Sequence, residues 1–261
     1  MEVIIRKDGQ TAALLTARII AKALRMKPSL VLGLATGRTM ESVYGFLAEA
    51  HEKEGLDFSL CRTFNLDEYV GLLPGNKHSY RAYMNTHLFK KVNIDLRNTH
   101  VPDGMAKDLD LECRGYEEAM RDCGGIDLQL LGIGRSGHVG FNEPLSAFYS
   151  RTRVTPLTPE TVAQNAPLFG NPKLMPRRAI TMGVGTIMES KRCIMLATGS
   201  EKAEVLAKAV EGPVTSMVSA SVLQFHAQCT VIVDEDAAAN LQEKDYYRNV
   251  FKTEPQWKEF H

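Results

Sequence analysis

Residues 132–144 read Gly-Ile-Gly-Arg-Ser-Gly-His-Val-Gly-Phe-Asn-Glu-Pro and set an imidazole, His138, five residues ahead of a carboxyl, Glu143. Histidine exchanges protons near neutral pH, and a carboxylate can orient it or share its charge. The run before it, Ile126–Leu131, is short and mostly apolar, the pattern of a buried parallel strand. Loops leaving the carboxyl ends of such strands are where open α/β sheets bind ligands, and glycines let backbone amides approach a ligand closely. Taken alone, Gly-x-Gly-x-x-Gly points only weakly to a dinucleotide fold, and a single loop histidine is more often structural than catalytic. Pro144 argues against a helix rising directly from the glycines, so the segment reads as a structured loop that handles protons.

Two further segments could take part. Thr36-Gly37-Arg38-Thr39 lies between the strand Leu30–Leu34 and a helical pattern through Val43, Phe46 and Leu47. Strand, short turn and helix N-terminus together point amide hydrogens at an anion, with hydroxyls as extra donors, and a phosphate is the obvious guest. The alternative is that Thr39 only caps the helix. Asp67, in Asp67-Glu68-Tyr69 at the end of the strand pattern Arg62–Leu66, offers a carboxylate that is either a general base or a turn residue.

The elements that must position these groups alternate. Helical spacing runs from 10 to 26 through Ala13, Leu14, Ala17, Ile20, Ala21 and Leu24, and recurs over 78–90, 107–122 and 201–210. Further strand patterns cover Ala179–Met182, Cys193–Ala197 and Thr230–Asp234. This alternation predicts an α/β fold with a mostly parallel, doubly wound sheet. No repeat or low-complexity linker divides the 261 residues, so one domain is expected over 1–261, with 235–261 as a C-terminal helix and tail.

Composition narrows the partners. Thirty-one basic against 31 acidic residues give no electrostatic case for nucleic acid or an acidic membrane surface, and favour a small ligand. The five cysteines, Cys61, Cys113, Cys123, Cys193 and Cys229, form no Cys-x-x-Cys pair and suggest neither a disulfide framework nor a zinc site. Met1–Lys7 lacks the layout of a signal peptide, and no apolar run approaches membrane-spanning length; a cytoplasmic, reduced chain is the expectation.

Three of these loops, together with Gly199-Ser200-Glu201-Lys202, Phe64–Leu72, Ser150–Arg153 and Gly183–Thr186, resemble the glucosamine-6-phosphate deaminase family, also called glucosamine-6-phosphate isomerases. The Phe-Asn-Glu-Pro and Asp-Glu-Tyr-Val-Gly-Leu pieces are far more specific than any glycine pattern. The resemblance implies a Rossmann-like sheet and a cofactor-free, metal-free conversion of glucosamine 6-phosphate and water to fructose 6-phosphate and ammonia. It implies Asp67 as the base that moves a proton between C2 and C1 through an enediol-type intermediate. His138 would handle the ring-oxygen proton with Glu143 as partner, and Lys202 with Thr36, Gly37, Arg38 and Thr39 would grip the phosphate. A homo-oligomer is also expected.

Three positions depart from the family pattern. Ser136 stands where many members carry an aspartate; a serine hydroxyl can hydrogen-bond but cannot stabilise an imidazolium as a carboxylate does, so either the ring is less readily protonated or Glu143 carries more of the load. Pro167 falls where the family usually has a phosphate-binding arginine, while Arg38 replaces a small residue, so Arg38 is expected to compensate. Arg153 and Thr155 keep only half of a regulatory basic pair, which predicts no activation by N-acetylglucosamine 6-phosphate. The competing functions are action on a different sugar phosphate, a 6-phosphogluconolactonase-like hydrolase on the same fold, and a non-catalytic sugar-phosphate sensor.

Overall fold

The structure, a computed structural model, describes residues 1–171 and 174–261. Val31–Leu34 (β2), Leu128–Leu131 (β6) and Cys193–Ala197 (β9) are buried at every position, as strands covered on both faces must be. With Glu2–Arg6 (β1), Arg62–Asn65 (β3), Thr99–His100 (β5) and Cys229–Asp234 (β10) they form a seven-stranded sheet in the order β1, β10, β9, β6, β2, β3, β5. Every pairing in it is parallel. Helices flank the sheet, and its apolar side chains join theirs in one core that takes in four of the five cysteines' neighbourhoods, with Cys61, Cys193 and Cys229 fully inside it.

Helix boundaries follow local chemistry. The helix Gly9–Met26 (α1) opens with a capping box, in which the Asp8 carboxylate accepts from the Thr11 amide at 2.8 Å and the Asp8 amide donates to the Thr11 hydroxyl at 3.1 Å. Arg38–Glu54 (α2) packs against it and ends at Gly55 in the left-handed conformation, φ +65°. Leu109–Asp122 (α3) sends the Tyr116 hydroxyl to the Asn65 and His100 carbonyls, pinning the ends of β3 and β5.

Two features were not anticipated from sequence. Glu2–Arg6 is a strand, at the sheet edge beside β10. Asp67–Tyr69 is no turn: after a bend at Leu66 it becomes β4, paired antiparallel with Arg178–Thr181 (β8), which in turn pairs with Arg153–Pro156 (β7). This small sheet covers a second apolar cluster of Tyr69, Phe141, Leu157, Phe169 and Met175. At the other end, a helix, Lys244–Thr253 (α4), and the turn Pro255–Phe260 lie against the body, with Trp257 and Phe260 buried and the Arg6 guanidinium 5.0 Å from the Phe251 ring centre. No helix among the described residues is long and apolar enough to cross a membrane.

Candidate active site

The order β9, β6, β2, β3 places four strands side by side, and each supplies one of the four loops or strand ends singled out from sequence. Three interstrand spacings are roughly 14 Å, enough for a phosphorylated hexose laid across them. The loops enclose a cleft of about 1050 Å³ lined by Asp67, His138, Lys202 and the whole of Thr36–Thr39. Glu143 and Ser136 do not line it; they stand behind His138.

The loop after β6 is built around the imidazole. Gly134 and His138 close on each other through the Gly134 amide and His138 carbonyl at 2.8 Å, and a Cβ at Gly134 would overlap the His138 ring. This glycine serves to seat a side chain. On the far side of the ring, Nδ1 lies 2.7 Å from Ser136 Oγ and 3.1 Å from Glu143 Oε2, and the Ser136 hydroxyl reaches that same Glu143 oxygen at 3.4 Å. The other Glu143 oxygen accepts from Thr158 Oγ1 at 3.2 Å and from the Thr161 hydroxyl. Burial raises the carboxyl's pKa, but the His138 contact and the two threonine hydroxyls outweigh it and hold Glu143 down at about 2. An ionised Glu143 only accepts, so the Nδ1 proton stays on the ring and Nε2 is the nitrogen left to exchange protons.

Asp67 has opposite surroundings. It is 7% exposed, no described group hydrogen-bonds its carboxylate, and burial together with the neighbouring Glu68 charge pushes its pKa up to about 8. A carboxylate stripped of solvent and donors is a stronger base than one in water. Glu68 points elsewhere, accepting from the Tyr69, Tyr80 and Arg81 amides at 2.8 to 3.0 Å. The small sheet fixes Asp67 relative to the histidine loop: Thr181 is its antiparallel partner, and the Thr181 hydroxyl accepts from the Phe141 amide at 3.0 Å. Asn142 adds two donations, to Val139 and Met182 carbonyls at 2.9 and 2.8 Å.

On the third side, Gly37 is the N-cap of α2, with φ +118° and no side-chain cap, so Thr39 is not a capping residue. The Met40 amide is taken by the Gly37 carbonyl at 2.9 Å, and no side chain caps the rest of the first turn, whose residues line the cleft beside the Thr36 and Thr39 hydroxyls. Two tyrosines brace the turn: Tyr44 donates to the Ala35 carbonyl, and Tyr83 to the Gly37 carbonyl at 2.8 Å. Arg38 lines the cleft, while Pro167 does not. Arg153 lies outside it, its guanidinium bonded to Asn142 Oδ1 at 2.9 Å and Ser146 Oγ at 3.1 Å. Thr158, Thr161, Thr181 and Arg135 were not singled out from sequence; lone threonines far apart in the chain carry no pattern, and only the fold brings them to the loops.

A parallel sheet whose central strand ends gather an isolated carboxylate, a buttressed imidazole and an anion cradle defines a sugar-phosphate enzyme class. The chain belongs to the glucosamine-6-phosphate isomerase/6-phosphogluconolactonase family, whose model matches residues 8–232. It is 47% identical over 257 residues to a glucosamine-6-phosphate deaminase of Arthrobacter sp. (strain FB24), covering 98% of this chain and 99% of that protein. Among solved structures it is similar to a monomeric glucosamine-6-phosphate deaminase, with 42% identity, a TM-score of 0.90, and coverage of 92% of this chain and 100% of the other. A 6-phosphogluconolactonase from Trypanosoma cruzi shares the fold at TM-score 0.75 and 19% identity, over 92% and 97% of the two chains.

Proposed function

We propose that the chain converts glucosamine 6-phosphate and water to fructose 6-phosphate and ammonia, with Asp67 as the proton carrier between C2 and C1. The observation that carries the reading is the pair of proton-handling groups lining one cleft: the Asp67 carboxyl, pushed up to about 8, and the His138 imidazole, backed by a Glu143 carboxylate held at about 2. Ring opening requires a group that exchanges a proton with the ring oxygen, and His138, held by Ser136 and Glu143, supplies it. Aldose–ketose proton transfer requires a carboxylate at short range, and Asp67 supplies that. Lys202, the Thr36–Thr39 turn and Arg38 hold the phosphate, Arg38 taking over from the arginine absent at position 167. Identity of 42–47% to deaminases, against about 20% to lactonases, favours the amino sugar over the lactone.

Incubation with glucosamine 6-phosphate should release ammonia and fructose 6-phosphate in equal amounts, and 6-phosphogluconolactone should give no acid beyond its spontaneous rate. Acid release from the lactone without ammonia from the amino sugar would reverse the assignment. The expected homo-oligomer is a separate proposal; the relative at 42% identity is described as monomeric, and light scattering of this chain decides between them. A cytoplasmic location is proposed on the same footing.

A further inference from the structure

We infer that Arg135 is a phosphate-contacting, specificity-determining residue of this chain, acting beside Lys202. The inference rests on the proposed phosphate subsite and adds to it a group from the histidine loop. Arg135 lines the cleft together with Lys202 and Arg38, and the side chain of none of the three has an ion pair or hydrogen bond to a described residue. Arg135 is exposed and Lys202 is half-buried. Burial is the largest influence on the Lys202 ammonium and disfavours it; the Glu201 carboxylate favours it, and the Arg135 charge, a smaller influence than Glu201, disfavours it. Three cations without side-chain partners in one cleft, among carboxylates that include Glu201, are placed to receive an anion from the ligand.

The backbone beneath Arg135 is rigid enough to aim it. Arg135 and Ser136 are the central residues of a turn closed by the Gly137 amide on the Gly134 carbonyl at 3.0 Å. Gly137, at φ +82°, is packed so that a Cβ would lie 2.6 Å from a Val218 methyl and 2.9 Å from a Val205 methyl, and its carbonyl accepts from the Ala220 amide at 2.9 Å. Successive side chains of this one turn thus serve two ends of a ligand: Ser136 reaches His138, and Arg135 lines the cleft that Lys202 also lines. A guanidinium meets two phosphate oxygens with two parallel N–H bonds from one fixed plane, whereas an ammonium acts as a rotating point charge, so the position distinguishes arginine from lysine.

The test is Arg135→Ala and Arg135→Lys, assayed for ammonia release from glucosamine 6-phosphate and for competitive inhibition by inorganic phosphate. Arg135→Ala should raise KM about tenfold and the phosphate inhibition constant in proportion, with kcat within about twofold, and Arg135→Lys should fall between. Unchanged KM and unchanged phosphate inhibition in Arg135→Ala would overturn the inference while leaving the deaminase reading intact. If wild type releases no ammonia, the deaminase reading fails by itself, and calorimetric binding of inorganic phosphate to wild type and Arg135→Ala still decides the inference: weaker binding in the variant supports it, and equal binding overturns it.

Discussion

The hydroxyl of Ser136 lies 2.7 Å from His138 Nδ1 and 3.4 Å from the Glu143 oxygen that the same nitrogen faces at 3.1 Å. The serine therefore sits between ring and carboxylate as a neutral link, and Glu143 supplies the charge. Ser136→Ala should lower kcat about three- to tenfold and leave KM unchanged, because it removes one orienting hydrogen bond and no ligand contact. Steady-state kinetics check this; a raised KM with normal kcat would place Ser136 at the ligand instead.

Asp67 sets the acid limb of the pH response, where activity rises with pH. A base with a pKa of about 8 is active only once deprotonated, so kcat/KM of the free enzyme should rise through that pH. The stability sign is opposite. The folded-state value lies above the roughly 3.9 of an unfolded aspartate, so the native state holds the extra proton and Asp67's contribution to stability falls as pH rises from about 4 to about 8. Asp67→Asn should lose about two to four powers of ten in kcat yet melt higher than wild type above pH 8. Parallel rate and melting curves between pH 5 and 9 test both halves.

Glu143 behaves in reverse. Its folded-state pKa of about 2 lies below the roughly 4.3 of an unfolded glutamate, so it stabilises the fold above pH 4 and that stabilisation disappears as the medium is acidified toward pH 2. Glu143→Gln should be less stable than wild type at pH 7, with the gap closing below pH 4, and should lose activity at every pH. An equal gap at pH 7 and pH 3 would contradict the assigned charge state.

Gly134 makes a steric prediction. With a Cβ there overlapping the imidazole, Gly134→Ala must displace His138 or the loop, costing about 1–3 kcal/mol of stability and most of the activity. Thermal melts and kcat report the two effects separately; a fully active alanine variant would remove the packing argument.

Much of this was legible in the chain because it is local. Continuous apolar runs such as Cys193–Ala197 became central strands at the expected residues, and Asp67, His138, Lys202 and the Thr36–Thr39 turn do share one cleft. What the sequence hid depends on pairings across long separations. Asp67–Tyr69 is a strand only because β8, more than a hundred residues later, lies against it, and Glu143 meets Thr158 and Thr161 only through the helix Pro159–Asn165. Arg135 was passed over because an arginine among loop glycines looks like any solvated cation until the fold sets it in the cleft that Lys202 also lines.

The central claim is that one cleft holds both proton-handling groups for an amino-sugar phosphate. Its most direct measurement is ammonia release from glucosamine 6-phosphate in heavy water by wild type and Asp67→Asn, with the fructose 6-phosphate analysed for deuterium at C1. Wild type should form ammonia and ketose one to one, with deuterium at C1 only in those turnovers where the Asp67 carboxyl exchanges its proton with solvent before delivery, and Asp67→Asn should form neither product at a comparable rate. Undiminished turnover and labelling in Asp67→Asn would contradict the account.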